Sequence, residues 1–505
     1  MTWPLDMREV AVFDANAAAL GVDVSELMQA AGEALAVEAA AMAGGGQFLI
    51  LCGPGNNGGD GFAAALALAD YDVGVRLVVS GKSQKGEAAQ SFRERFEAAD
   101  GSIEYWTSES DFGTPSLVID CLLGAGGAGK PHGRVAKILE WARKGNPELV
   151  LACDIPTGLG CDAILPADAT VTFHSEKSGM KYSEVGRLII APLPFPEGTT
   201  DCGPGDALRY PPLDPAAHKG QRGRLLIIGG GPFHGAPILA GRAAARVGCD
   251  LVHIAMPRNA TDRANWPDHL ISERLSDEDR LEERGASEIM RLLEEKKFDA
   301  VVIGPGLGRE KETAEEVENF LTYFSESGIP TVVDADAIYS LPPGKWPKGL
   351  VGVATPHARE LRMWLWDDSP ASALLSTEEV DETTGSPKGV DAESRVIVRT
   401  GPIDELHGLE GRFCSATGGH PRMATGGTGD LLAGSIGGLL AQGMAPWPAA
   451  RLACYLMRAA GVETAAEFGP GLLASDVPPH LARVLSEATH TSATQLSSDA
   501  ARRNA

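Results

Sequence analysis

Twice along this chain, short and continuously apolar runs alternate with stretches of helical composition, and each run ends in a turn containing Gly or Asp. In the first half the runs are FLILCGPG (48–55), VRLVVSG (75–81), LVIDCLLG (117–124), LVLACDIPTG (149–158), VTFH (171–174) and LIIAPLP (188–194). Strands apolar on both sides have no solvent face, so helices must cover both faces of a mostly parallel sheet. Residues 195–217, FPEGTTDCGPGDALRYPPLDPAA, break this rhythm. Rich in Pro and Gly and without a helical period, they read as an interdomain linker. The alternation then restarts with LLIIGGG (225–231), LVHIAMP (251–257), AVVIGPGLG (300–308), TVVDADA (331–337), GVATPH (352–357) and VIVRTG (396–401). The expectation is an α/β protein of two three-layer αβα domains, at 1–212 and 213–488. Ser369–Ser394 and the Ser/Thr/Ala-rich tail read as loose, with 489–505 disordered.

Charge narrows the function. The chain carries 44 Lys and Arg against 68 Asp and Glu, a net charge of −24. A field of that sign repels nucleic acid, so an anionic ligand must be held locally, by helix N-termini and glycine-loop amides. The 8 cysteines show no C-x-x-C spacing and several sit in apolar runs, which points to buried thiols in a reducing compartment. The opening MTWPLDMREV lacks a basic-then-apolar signal pattern, and no apolar stretch is long enough to cross a bilayer. A cytoplasmic protein without nucleic-acid or membrane partners is expected.

In the first half, one strand runs straight into GPGNNGGDGF (53–62). Gly53, Gly55 and Gly58 satisfy G-x-G-x-x-G in a strand–turn–helix setting. An NAD-dependent dehydrogenase would also close its second strand with an acidic residue to hold ribose, but here that strand ends Ser80-Gly81-Lys82. Asn56, Asn57 and Asp60 are instead packed among Gly58, Gly59 and Gly61 at a helix start. Glycines admit a ligand to the backbone, free amides favour phosphate, and Asn and Asp add oxygen donors and acceptors. Asp120 and Asp154 close two further strands, at the strand ends where open α/β sheets bind ligands. A plain Asx turn or a helix cap accounts for one such residue, but not for three in one sheet.

NNGGDGF, VIDCLLG, CDIPTG, TFHSEKSG (172–179) and the helical LMQAAG (27–32) together resemble successive motifs of the NAD(P)H-hydrate epimerase domain, over roughly residues 5–195. The resemblance implies a Rossmann-like fold. It implies that Asn56, Asn57, Gly58, Gly59 and Asp60, with the loop Gly124, Ala125, Gly126, Gly127, Ala128, Gly129 and Lys130, hold the hydrated nucleotide. By the same resemblance Asn57, Asp120 and Thr157 coordinate potassium, and Asp154 is the acid/base of epimerisation. Lys177 matches a family lysine, and reads equally well as a surface or phosphate-pairing residue. The loop GAGGAGK departs from the family pattern, with Ala128 where a basic side chain is common and Lys130 two positions later.

The sharpest motif is MATGGTGDLLAG (423–434). Gly426-Gly427-Thr428-Gly429 leads through Asp430 into an apolar helix, which makes an anion hole with a carboxylate beside it. Such an Asp can deprotonate a hydroxyl that attacks a phosphoryl group. With HKGQRG (218–223), GAPILAG (235–241), IGPGLG (303–308), DADA (334–337) and TPHARE (355–360), in order from about 218 to 485, this half resembles the ribokinase-like ADP/ATP-dependent NAD(P)H-hydrate dehydratases. The resemblance places Ala236, Gly306, His357 and Asp430 on the hydrated nicotinamide nucleotide, and Arg399, Thr400, Gly401, Pro402, Ile403 and Gly429 on ADP, with Asp430 catalytic and Mg²⁺ accompanying the donor. Arg399 stands where the family segment commonly begins with Lys, and keeps the charge. Taken alone, His357 also reads as a packed or capping residue. The implied protein is a homo-oligomer acting on hydrated NADH and NADPH. The alternative is a ribokinase-like kinase for a small alcohol with a non-catalytic N-terminal binding domain.

Overall fold

The computed structural model describes residues 3–127, 129–365, 370–375 and 390–504. Ala128 and most of the Ser369–Ser394 stretch read as loose lie outside the described residues. The chain divides into two compact units, Met1–Thr199, with which Ser498–Ala505 is grouped, and Thr200–Ser497.

The first unit contains β1 (Gly46–Cys52), β2 (Val73–Val79), β3 (Ile103–Tyr105), β4 (Leu117–Cys121), β5 (Val150–Cys153), β6 (Ala169–Thr172) and β7 (Arg187–Ile190). Their order is β3-β2-β1-β4-β5-β6-β7, and every pairing is parallel. This is the Rossmann order with one added strand. The central strands are buried on both faces as their unbroken apolar runs require: Phe48, Ile50 and Ile119 pack under the helices Val24–Ala43 and Asn56–Ala67, and Leu49, Leu51 and Val118 pack on Ile138 and Leu139 of the helix Gly133–Gly145. The strand order reverses between β1 and β4, where Cys52 is in register with Cys121, and a crevice opens beyond that point.

The second unit contains β8 (Arg224–Ile228), β9 (Leu251–Met256), β10 (Leu270–Arg274), β11 (Ala300–Ile303), β12 (Thr331–Val333), β13 (Gly352–Ala354), β14 (Arg395–Arg399), β15 (Asp404–Gly408) and β16 (Phe413–Ala416). The order is β10-β9-β8-β11-β12-β13-β14-β15-β16, with the last two strands antiparallel. Again the order reverses between the first strand of the unit and its fourth, β8 and β11. Residues 200–212, which composition places with the first domain, pack with the second unit. Arg451 ion-pairs with Asp206 at 2.6 Å and donates to the carbonyls of Thr200 and Asp201 at 3.0 and 2.9 Å. The tail from 489, read as disordered, continues the helix Val477–Asn504, whose first turns bury Val477, Leu481 and Val484.

The helix Thr428–Ala441 is buried along nearly its whole length and crosses the helix Gly235–Arg246 at Gly434. A Cβ at Gly434 would fall 2.0 Å from the Ala240 carbonyl oxygen. Ala is favoured over Gly in a helix by about 1 kcal/mol. Gly434→Ala should nevertheless destabilise the second unit by about 1–3 kcal/mol, through overpacking. Denaturant unfolding of the variant checks this, and a stabilised protein would mean that the two helices do not approach so closely.

Candidate active sites

Beyond the ends of β1 and β4 lies a cleft of about 850 Å³, within the range of ligand pockets. Asn56, Asn57, Asp60, Gly124, Ala125, Gly126, Gly127, Lys130 and Asp154 line it. Gly58 and Gly59 lie in the buried first turn of the helix Asn56–Ala67, behind the lining. Gly129 is not part of the lining either.

Asp154 is 7% exposed and sits at φ 65, a left-handed conformation that an Asp tolerates better than most residues. Its Oδ2 accepts the Ala125 amide at 2.7 Å. Its Oδ1 lies 2.7 Å from Lys177 Nζ. Burial opposes the charge of Asp154, but Lys177 and the Ala125 amide outweigh it and hold the carboxyl below its ordinary range. Asp60 is the opposite case. Burial first, then the charge of Asp154, pushes its carboxyl well up, so two neighbouring carboxyls are driven in opposite directions.

Lys177 is neither a surface residue nor free to pair with phosphate. It is fully buried, and its ammonium is engaged by Asp154 Oδ1, by Thr172 Oγ1 at 2.6 Å and by the Phe173 carbonyl at 2.5 Å. The turn that carries it is strapped by the chain start: Leu5 N donates to the Glu176 carbonyl and Ser178 N to the Leu5 carbonyl, each at 2.8 Å.

Asp120 is 0% exposed and accepts the Leu122 amide at 3.1 Å, and the Thr157 amide and hydroxyl, both at 2.8 Å. Burial raises its carboxyl against those bonds, and among the described residues no basic side chain offsets the charge. The Asn57 amide nitrogen is buried without a hydrogen-bond partner. Gly124 separates Asn57 from Asp154: a Cβ there would fall 2.8 Å from Asn57 Oδ1 and 2.9 Å from Asp154 Oδ2. Gly124→Ala should therefore displace one of the two and lower turnover at this cleft by about tenfold or more while the fold persists, since small misplacements of reacting groups cost that much. Steady-state kinetics of the variant are the check.

In the second unit the strand ends β8, β11, β12 and β13 converge with the start of the helix Thr428–Ala441. Ala236 lies in the first turn of the helix Gly235–Arg246, and Gly306 is buried in the turn after β11, at φ 68. Gly427 caps the helix Thr428–Ala441 at φ 98 with no side-chain hydrogen bond, and open space surrounds Gly426 and Gly429. The first amides of that helix are left for an anion.

Asp430 is half-buried in the first turn. Burial, then the charge of Asp336, raises its carboxyl to about 6. Asp334, the first Asp of DADA, accepts the Thr355 hydroxyl at 2.7 Å and is pushed well up by burial and by Asp430. The next residue, Ala335, is strained at φ 49. Asp336 accepts the Gly308 amide at 3.0 Å and Arg309 Nε at 2.8 Å.

His357 caps the helix Ala358–Leu365: its Nδ1 accepts the amides of Arg359 and Glu360, each at 3.1 Å, and its ring is 53% exposed. A bridge pairs His357 with Thr400, so the segment Arg399–Ile403 runs beside it. Arg399 is 3.2 Å from Glu405. The residue missed from sequence in this region is Arg458. It donates to the carbonyls of Pro402 at 2.6 Å and Gly401 at 2.8 Å and ion-pairs with Asp404 at 2.7 Å, which fixes the turn. Arg458 is one of two arginines, with Arg451, in the largely apolar helix Pro446–Phe468, and that was the available signal.

Among the described residues no group of three His, Cys, Asp or Glu is placed to hold a metal ion, and no helix is long and apolar enough to cross a membrane.

Two αβα domains, each with carboxylates clustered near the point where its sheet reverses strand order, place the chain among two-domain proteins of the α/β class, the first of them Rossmann-like. Residues 24–179 match the family model of the YjeF-related protein N-terminus, and residues 225–483 match that of NAD(P)H-hydrate dehydratase. The chain is 34% identical to the bifunctional NAD(P)H-hydrate repair enzyme of Hyperthermus butylicus, over 93% of this chain and 90% of the relative. It is 31% identical to that of Methanothermobacter thermautotrophicus, over 94% and 93%. Among solved structures, the ADP/ATP-dependent NAD(P)H-hydrate dehydratase of Bacillus subtilis is similar at 25% identity and a TM-score of 0.44, over 56% of this chain and 96% of that one. The chain belongs to the family of bifunctional NAD(P)H-hydrate repair enzymes.

Proposed function

We propose that the chain returns hydrated NADH and NADPH to usable cofactor: the first cleft interconverts the R and S hydrates, and the second site dehydrates the S form at the expense of ADP. The observation that carries this reading is Asp430, a half-buried carboxyl raised to about 6 at a helix N-terminus that no side chain caps, where a donor's phosphate would bind.

Hydroxide is a poor leaving group, and phosphorylation makes it a good one. In this reading Asp430 takes the proton of the substrate hydroxyl as its oxygen attacks the β-phosphorus of ADP, and AMP departs with the electrons of the broken P–O bond. The phosphate then leaves with the C–O electrons, the adjacent carbon loses a proton, and the ring double bond returns. Ala236, Gly306 and His357 line the hydrate's place. Arg399, Thr400, Gly401, Pro402, Ile403 and Gly429 hold ADP, with the turn kept in shape by Arg458. Asp336 and Asp430 offer the hard oxygen donors that Mg²⁺ prefers, and the ion neutralises phosphate charge when bound.

In the first cleft Asp154 is the acid/base, kept ionised by Lys177. Asn56, Asn57, Asp60, Lys130 and the 124–127 backbone bind the nucleotide. A buried carboxylate bonded to the Thr157 hydroxyl, with no ion-pair partner among the described residues, suits a monovalent cation. Asp120, Thr157 and Asn57 would hold potassium there, supplying that missing charge. The protein is expected to work in the cytoplasm as a homo-oligomer.

Product stoichiometry tests the second site. One AMP and one free phosphate per NADH formed from the S hydrate support dehydration. A stable phosphorylated product with no free phosphate would favour the small-alcohol kinase.

A further inference from the structure

The first cleft contains an ionisable pair with no role in the account above. The imidazole of His174 stacks on Phe195, with ring centroids 3.7 Å apart and planes inclined by 19°. Its Nε2 lies 3.2 Å from Asp14 Oδ1, contributed by the helix Met7–Ala19. His174 and Asp14 line the same cleft as Asp154 and Lys177. His174 stands at φ 62, so this cleft contains two residues other than glycine, Asp154 and His174, in the left-handed region. Such strain persists only where surrounding structure enforces it, and it gathers at reacting centres. His174 is also close enough to favour the charge of Asp154.

The chemistry requires a partner for Asp154. To invert a carbon that bears a hydroxyl beside the ring nitrogen, the C–O bond must break and re-form on the other face. A proton is delivered to the departing hydroxyl, which leaves as water while the nitrogen lone pair closes an iminium. Water then adds from the opposite face and gives its proton to a base. A single fixed carboxylate serves one face of a ring. Lys177 is committed, its three donor directions filled by Asp154, Thr172 and the Phe173 carbonyl. The Asp60 carboxyl is buried, with Cys153 Sγ 3.8 Å away, and that burial pushes it well up. His174 is an imidazole of the lining with a carboxylate, Asp14, placed to orient it, the arrangement that fixes a catalytic imidazole.

We propose that His174, held by Asp14, is a second acid/base residue of the first cleft and serves the face of the hydrated ring opposite Asp154. This rests on the reading of that cleft as the epimerase site.

The test uses the full chain with K⁺ present and a single NADH hydrate epimer, without ADP, and follows its inversion above the uncatalysed background. His174→Gly is the informative variant, because glycine adopts φ 62 without strain. Its kcat should fall by about 100-fold or more with KM nearly unchanged, as expected for loss of a general acid/base, and added imidazole should restore part of it. Asp14→Asn should fall by about tenfold, because the ring loses only its orienting partner. Denaturant unfolding of the first unit, unchanged in each variant, reports that it is folded, and ADP-driven dehydration of the S hydrate reports that the second unit is intact. Wild-type inversion by His174→Gly beside an inactive Asp154→Asn overturns the proposal. So does a loss that imidazole leaves untouched, which marks a structural role. Wild-type inversion by Asp154→Asn removes the epimerase reading itself, and the proposal with it.

Discussion

Asp430→Asn should lower ADP-driven dehydration of the S hydrate by about 10²–10⁴-fold and leave interconversion of the two hydrates intact, because general acid/base groups contribute on that scale. Asn keeps the shape of the side chain and cannot take the proton of the attacking hydroxyl. Pre-steady-state release of AMP reads the step directly. Wild-type chemistry has a matching pH dependence. Burial and the negative charge of Asp336 both disfavour the ionised form of Asp430, so its carboxyl titrates near 6. The base is the ionised form. The kcat/KM of dehydration should therefore rise as pH passes upward through about 6, level off above it, and lose that limb in the Asn variant. A variant that loses both dehydration and inversion while folded would count against two separate sites.

The second large effect is expected at Lys177. Lys177→Met would leave Asp154, whose side chain is 10% exposed, without its cation. Breaking a buried pair from one side costs about 3–5 kcal/mol, because the remaining charge is neither solvated nor paired. The first unit should lose about that much stability in denaturant. Without Lys177 the largest influence opposing burial is gone, so the Asp154 carboxyl should rise. Inversion should then be lost even where the variant is folded, while dehydration of the S hydrate in the second unit continues. The double variant Lys177→Met with Asp154→Asn should recover part of the stability and none of the activity. A single variant with unchanged stability would mean that the ion pair does not hold the cleft together.

Much of this architecture was legible because its cause is local. An apolar run that ends in Gly or Asp marks a buried parallel strand and the loop beyond its carboxyl end, and the first cleft and the Asp334–Asp430 cluster both lie at such loops. The strands that escaped notice lack that pattern. β3 is three residues long, and β10 alternates buried and exposed positions along LISER. β15 and β16, DELHG and FCSA, are short and partly polar, as strands of an antiparallel extension at a sheet's end are. The site features that escaped notice are tertiary. Lys177 matched a family lysine but read equally well as a surface or phosphate-pairing residue, because its partner lies 23 positions away on another strand end. His174 and Asp14 are separated by 160 positions, and nothing local to either announces the other. Arg458 shapes a turn 54 residues upstream through Asp404. His357 was read correctly in one respect from its own neighbourhood: its Nδ1 caps the helix that follows it.

Recovery of NADH from an equilibrated mixture of both hydrates, with ADP, with ATP and with neither, tests the central claim most directly. The two-site account predicts complete recovery that requires ADP, with Mg²⁺ and K⁺ present. Recovery that stops at the share of one hydrate would contradict the first active site. No recovery with either donor, from folded protein, would contradict the repair reaction as a whole.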